Sequence, residues 1–425
     1  MDIKNTILKN FGINRLTVSS LKEAVAGCNA ELSDNKKRYI TREIALSVIG
    51  NLKTAGRNNK KKGAAYVPPP LTDTKVLAVN HAGPLDVAID WRSGPDGVLN
   101  FSDCRVDAGG DQINVSKVFG NFNENIALVA LAGKEGGEIT GEWERKFLSK
   151  SMNSFLIRDT REDGQIALYN TIDGNILPGI FGWKDELSKE TVKSINDKAV
   201  STLDEMLKGS ADNVWMVLSA GGPVRYNRSL ACYASLINRV KDRYGGKVKL
   251  LIDFKFMSGP EEAMSVLDIP RKSPQDIIKP NLEEFIQLLV SSGLAEKSRL
   301  DKNSLTEEDI KEYAIRLRKK YNFMGVLVSL DKAGLMLVMP DRVIREKGIK
   351  IELACHTAAG DSLKAGFVYA LSRGMSIEEA VHTGNLFGAS TASMRGSLTV
   401  NPERLAEVEN LARVQNVTPK TEYLA

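Results

Sequence analysis

Between Thr357 and Ser362 the chain reads Thr-Ala-Ala-Gly-Asp-Ser. Small side chains allow a tight turn there, and consecutive backbone N–H groups at a helix start can cradle an anion. Gly360 permits dihedrals closed to other residues. Asp361 then falls in the first helical turn, where two roles are open to it. It can cap the helix by accepting from backbone N–H groups. It can also act as a base, because a carboxylate beside an anion nest supplies what phosphoryl transfer to a hydroxyl needs. The carboxylate takes the acceptor proton while the nest stabilises charge on the transferring group. Two other sites are ambiguous when read alone. Gly109-Gly110 is a turn signal, and Asn281 stands where a helix cap would stand.

Regular elements must hold these residues in place. Residues 75–80, 126–132, 214–219, 248–254 and 324–330 are short apolar runs that read as strands. Amphipathic stretches over 230–244, 282–290, 307–320, 360–371, 377–392 and 402–412 read as helices between and after them. This is strand–helix repetition, which predicts an α/β fold with a mainly parallel central sheet. Ligands in such sheets gather at the carboxyl ends of strands. Residues 97–106 and 155–177 alternate apolar and polar positions and carry turn signals at Asp163-Gly164 and Asp173-Gly174. They predict a smaller antiparallel element. Residues 334–338 predict a hairpin partner for the 324–330 strand. Residues 1–62 read as a helical extension, followed by a charged and then proline-stiffened linker through Val67–Pro70. A helical appendage packed on its own or a partner subunit is the simpler reading of the extension; binding an anionic partner is the other.

Composition narrows the field. The chain has 425 residues, 42% hydrophobic and 26% charged, with a formal net charge of +5, enough to fill a sizeable core. No apolar run reaches the ~18 residues of a membrane span, and the first residues do not read as a secretory leader. Cys28, Cys104, Cys232 and Cys355 form no CxxC pair, and there are three histidines, which argues against a zinc cluster. Reduced thiols in cytoplasm follow. No GxGxxG opens the first strand–helix unit, which disfavours a nicotinamide site. The basic runs are too short for a nucleic-acid platform.

The Ala358-Ala359-Gly360-Asp361 segment resembles the second signature of the ribokinase-like carbohydrate kinases, the PfkB family, whose core is Gly-Ala-Gly-Asp. The resemblance implies a ribokinase-like three-layer fold with a small β-sheet lid, an Asp361 base, and an anion hole from the N–H groups of Ala358, Ala359 and Gly360. Further segments resemble the branch containing 1-phosphofructokinase and tagatose-6-phosphate kinase. Asp107–Val115 resembles the early glycine-glycine signature. It implies close passage of sugar against Gly109 and Gly110, with Asn114 as donor and acceptor. Where that branch has lysine then glycine, this chain has Asp111 and Gln112. Asp86, with Asp90 as its rival, matches the aspartate that grips sugar hydroxyls. Thr160-Arg161 resembles the lid pair whose arginine reaches a substrate phosphate, with Arg158 as the alternate.

Ile278–Glu284 resembles the lysine-proline-asparagine-x-x-glutamate pattern. It implies Asn281 and Glu284 near the ATP triphosphate and its Mg²⁺, the glutamate largely through water, and Asp253 close to the metal and phosphate region. Ser329–Gly334 resembles the nucleotide loop, with Asp331 replacing its first glycine and Gly334 keeping the second. An acid there must turn outward or be bridged by metal. Asn385, Gly388 and Ala389 are implied around adenine. Arg225 replaces the last glycine of a serine-glycine loop.

The resulting domain expectation is an N-terminal extension and linker over 1–70 and a kinase domain over 71–425, with lid strands from about 97–106 and 155–183. The implied activity is ATP- and Mg²⁺-dependent phosphorylation of a hexose phosphate. A kinase for an unphosphorylated sugar, nucleoside or sugar acid, or a kinase fold whose catalysis has decayed, stands as the alternative. The expected partners are a sugar or sugar phosphate, ATP and a second copy of the chain. The homodimer expectation rests on the lid having an otherwise bare face.

Overall fold

Five apolar runs become parallel strands because helices cover both of their faces. Val76–Asn80 (β1) and Ala127–Ala132 (β4) are buried at every residue, and Val248–Phe254 (β9) at all but one. The computed structural model describes residues 3–30, 34–55, 70–81, 84–147, 153–158, 165–173, 175–182, 187–208, 214–220, 227–254, 264, 266–269, 276–296, 300, 302, 305–355, 357–394 and 399–424. Cys28, Cys104 and Cys355 are buried free thiols. No described helix is long and apolar enough to cross a membrane.

The remaining strands in chain order are Pro84–Ser93 (β2), Leu99–Ala108 (β3), Asn153–Arg158 (β5), Gln165–Ile172 (β6), Asn175–Gly182 (β7), Val214–Ala220 (β8), Ile277–Lys279 (β10), Gly325–Ser329 (β11), Gly334–Val338 (β12), Arg342–Lys347 (β13) and Lys420–Tyr423 (β14). The main sheet has ten strands in the order β14-β13-β12-β11-β10-β9-β8-β1-β4-β5. From β5 to β11 neighbours pair in parallel; β12, β13 and β14 extend the sheet antiparallel. Residues that alternate along β1 enter two separate apolar clusters. Val76 and Ala78 pack with helices Asp111–Asn121, Ala359–Ser372, Ile377–Ala392 and Pro402–Val414. Leu77 and Val79 pack with helices Lys189–Lys208, Asn227–Tyr244, Leu282–Ser291 and Glu307–Tyr321. The result is the three-layer, ribokinase-like α/β architecture that the sequence predicts.

The second sheet has four strands, β3-β2-β6-β7. Its composition corrects the expected lid. Residues 155–158 belong to β5, which lies beside β4 at the edge of the main sheet, because Phe155 to Arg158 continue its parallel register. The lid gains β2 instead, a segment to which the sequence reading assigned no strand, and β2 pairs β6 in parallel as well as β3 antiparallel. The β6–β7 pair is antiparallel, as the turn signal predicts. Thr160, Arg161, Asp163 and Gly164 lie outside the described residues, as do Arg225, Pro68 and Pro69.

The extension forms helices Ile3–Phe11, Val18–Ala30 and Asp34–Ala55. They pack on the small sheet. Ile3, Ile7, Ile44 and Val48 are buried in one cluster with Leu85, Val87, Ile89 and Trp91 of β2. The Leu99 N–H also donates to the Leu16 carbonyl at 2.8 Å, tying the extension to β3. The lid face expected to need a second subunit is therefore covered by the chain's own extension.

Candidate active site

A cleft of about 560 Å³ opens at the carboxyl ends of the main-sheet strands. Its wall gathers Asn281, Glu284, Ser329, Gly334, Ala358, Ala359, Gly360, Asp361, Asn385 and Gly388. These residues are dispersed over more than a hundred positions of chain, and the fold brings them to one place.

Each wall has a local cause. Asn281 caps helix Leu282–Ser291: its Oδ1 accepts from the Glu284 N–H at 2.9 Å, and Glu284 Oε2 accepts from the Asn281 N–H at 2.8 Å. This reciprocal capping box satisfies two orphan donors and fixes both side chains. The Ser329 N–H donates to the Pro280 carbonyl at 3.1 Å, which joins the two loops. Gly334 has φ 104°, and a Cβ on it would fall 2.1 Å from the Glu346 carbonyl oxygen, so the β12–β13 approach requires glycine. Asp331 turns outward, its side chain 70% exposed with Lys302 Nζ 3.5 Å away. Asn385 donates to the Lys347 carbonyl at 2.9 Å.

The expected glycine conformation falls two residues early. Ala358, not Gly360, takes the left-handed conformation, at φ 64°, and serves as the N-cap of helix Ala359–Ser372. Gly360 already lies inside the helix and has ordinary dihedrals; a Cβ there would lie 3.7 Å from Lys279 Nζ. The requirement for small residues thus comes from the turn at Ala358 and from the open cleft wall.

Asp361 is 5% exposed and lines the cleft. Its Oδ2 accepts from Asn114 Nδ2 at 2.9 Å, and Lys364 Nζ lies 3.5 Å from its Oδ1. Asn114 Oδ1 in turn faces Lys117 Nζ at 3.5 Å, and that ammonium pairs with Asp107 at 2.9 Å. A polar chain therefore runs from the end of lid strand β3 to Asp361. Asn114 reaches the site because Gly110, at φ 115°, starts helix Asp111–Asn121.

Gly109 has a different reason from the one expected. A Cβ there would lie 2.1 Å from Asp86 Oδ1. The Asp86 carboxylate itself occupies the space above the glycine. Asp86 is buried, and burial is the largest cause that pushes its pKa up to about 7; Lys117 opposes this, while Asp107, Asp361 and Asp111 add to it. Its Oδ1 has no hydrogen-bond partner among the described residues. The rival Asp90 pairs with Arg105 across the lid. Of the two expected arginines, Arg161 lies outside the described residues and Arg158 pairs with Glu144.

The proposed metal ligands do not fit a resident ion. Asp253 is fully buried at the end of β9, with Lys279 Nζ 3.2 Å from its Oδ1 and Lys364 Nζ 2.9 Å from its Oδ2. One Glu284 oxygen closes the capping box. Among the described residues no cluster of three His, Cys, Asp or Glu side chains could hold a metal ion. The sequence reading missed Lys364 and Lys117. Their signal was a lysine in the second turn of two helices whose neighbouring positions are mostly buried.

Comparisons with known proteins agree with this architecture. Residues 263–404 match the profile of the pfkB family carbohydrate kinases. The chain is 23% identical over 329 residues to a 1-phosphofructokinase of Rhodobacter capsulatus, covering 76% of this chain and 92% of that one. It is 26% identical over 295 residues to a 1-phosphofructokinase of Borreliella burgdorferi, covering 68% and 82%. The fold is similar to that of phosphofructokinase-2 from Escherichia coli solved with substrates and products, with a TM-score of 0.62 at 16% identity over 80% of this chain and 100% of that one.

Proposed function

From a chain that carries a PfkB family carbohydrate kinase domain, we propose an enzyme that transfers the γ-phosphoryl group of ATP to a hydroxyl of a sugar or sugar phosphate. The carrying observation is the placement of Asp361. It is a buried carboxylate lining a cleft walled by Asn281, Ser329, Gly334, Asn385 and Gly388, and Asn114 ties it to the lid side. ATP occupies that cleft in this reading, with its transferring group toward the backbone N–H groups at Ala358, Ala359 and Gly360. The sugar lies between Asp361 and the lid. The unpartnered Asp86 oxygen accepts from a sugar hydroxyl there. Asp361 takes the proton of the attacking hydroxyl as the new P–O bond forms. The lid excludes water, which would otherwise accept the phosphoryl group. No step is assigned to a protein-held metal.

A hexose phosphate is the first substrate reading, on the strength of the phosphofructokinase relatives. An unphosphorylated sugar is the second. It is favoured by the carboxylates Asp107, Asp111 and Asp361, which all act on Asp86 and push its pKa up, since such a group repels an anionic substrate. ADP release measured with Mg·ATP across sugars and sugar phosphates tests both. Turnover is expected on at least one, falling by about 10² or more in Asp361→Asn. No turnover on any, or an unaffected variant, sinks the assignment. Arg161→Ala decides between the two substrate readings. A Michaelis constant raised roughly tenfold supports a sugar phosphate, because a charged hydrogen bond of ~1.5–3 kcal/mol is lost, whereas an unchanged one supports a neutral sugar.

A further inference from the structure

Lys364 is fully buried. Its ammonium lies 2.9 Å from Asp253 Oδ2, 3.5 Å from Asp361 Oδ1 and 3.3 Å from Ser219 Oγ. A lysine is rarely enclosed this way unless its charge is matched, since a buried ammonium without a partner is strongly unfavourable. Here two carboxylates match it, and they come from separate elements, the end of β9 and the first turn of helix Ala359–Ser372. The same Asp253 carboxylate meets a second ammonium, that of the buried Lys279, at 3.2 Å. A divalent cation on Asp253 would have to share the carboxylate with both ammonium groups at close range, against strong like-charge repulsion.

We infer that the ammonium of Lys364 is the resident cation of this site, holding Asp253 out of metal coordination and aiming the Asp361 carboxylate toward the acceptor hydroxyl. Any Mg²⁺ then arrives and leaves on the nucleotide phosphates. Lys364 is a positioning residue. Fixed by Asp253 and Ser219, it holds Oδ1 of Asp361 from one side while Asn114 holds Oδ2 from the other. The aiming role rests on the kinase reading above; the exclusion of metal from Asp253 does not.

The first test needs no turnover. Mn²⁺ binding to the wild-type protein, followed by electron paramagnetic resonance, is expected to show no stoichiometric site without nucleotide and one when ATP is added. A stoichiometric site in nucleotide-free protein that Asp253→Asn removes overturns the inference. The second test uses Lys364→Met, which keeps length and loses charge. Its kcat is expected to fall by about 10², the scale of a misplaced reacting group, while the Michaelis constant for ATP changes by less than about threefold. Lys364→Ala leaves room for a small cation, so added methylammonium or ethylammonium should restore part of its kcat, and should not restore Asp361→Asn. Wild-type kcat in Lys364→Met, or a loss in Lys364→Ala that no alkylammonium relieves, overturns the aiming role. If neither lysine variant folds, the wild-type Mn²⁺ measurement still decides the inference. Absence of phosphoryl transfer from every donor–acceptor pair defeats the kinase reading and the aiming role together, and leaves the Mn²⁺ result standing by itself.

Discussion

The two faces of the small sheet are built from the same strands and serve opposite ends. Along β2, Leu85, Val87, Ile89 and Trp91 point to one side, while Asp86, Ala88 and Asp90 point to the other. The β3 register continues the division, setting Val106 beside Val87 and Asp107 beside Asp86. The apolar face is buried under the chain's own N-terminal helices, and Asn170 Oδ1 on it accepts from Trp91 Nε1 at 3.0 Å. The polar face holds a paired Asp90 and Arg105 but leaves an Asp86 oxygen without a partner among the described residues. One face has its apolar side chains covered within the chain. The other keeps an acceptor that a ligand hydroxyl can satisfy. A single period-two alternation thus separates the covered apolar face from the face that carries the unpartnered Asp86 oxygen.

The largest effect is expected on the apolar face. Ile44→Asp places a carboxylate in the buried contact between helix Asp34–Ala55 and the sheet. Lost packing and a buried charge together cost about 4 kcal/mol or more. A large fall in Tm, with concentration-dependent association of the exposed lid face, is the expected outcome. Light scattering should give a one-chain mass for the wild type at micromolar concentration. A wild-type dimer, or an Ile44→Asp protein of unchanged Tm, would show that the extension is not the cover of this face.

On the polar face, Asp86→Asn should leave Tm close to wild type and raise the sugar Michaelis constant by roughly 10 to 100-fold, the loss of one or two hydrogen bonds to a charged acceptor. A fall in Tm as large as that of Ile44→Asp would erase the contrast between the faces.

The smallest effect is a pH dependence. Asp86 has its pKa raised to about 7 from an ordinary 3.8 by burial. Its ionised form is the better acceptor, so the sugar Michaelis constant should fall a few-fold as pH rises through about 7. The linkage for stability has the opposite sense. The unfolded chain releases this proton near pH 4 and the folded chain retains it until about 7, so the contribution is present at low pH and is lost as pH climbs across that window. Asp86→Asn should flatten both dependences. A variant with the wild-type slopes would assign them to another group.

Continuous apolar runs flanked by turns give parallel strands wherever helices cover both faces, and five of them stand in the main sheet as the sequence predicts. The cleft residues were legible because their motifs are local: a cap at Asn281, a tight small-residue turn at Ala358–Gly360, and a carboxylate one position on. What was not legible depended on partners distant in sequence. Pro84–Ser93, which the sequence reading assigned to no element, carries charges among its apolar residues and becomes an inner lid strand because β3 and β6 flank it. Phe155–Arg158 has the alternation of a lid strand, and joins the main sheet because β4 offers a parallel edge. Asp253 fits the position of a metal ligand until two lysines, 26 and 111 positions further along, fold onto it.

The sequence by itself determined periodicity, caps, turns and the presence of a carboxylate beside an anion nest, all of which act over a few residues. The tertiary structure alone decided which charges meet. Ion pairing in a buried site is a question of a few ångströms between segments whose separation in sequence carries no distance information. For that reason Lys364, an isolated basic residue in the sequence, is a bridge between two carboxylates in the fold.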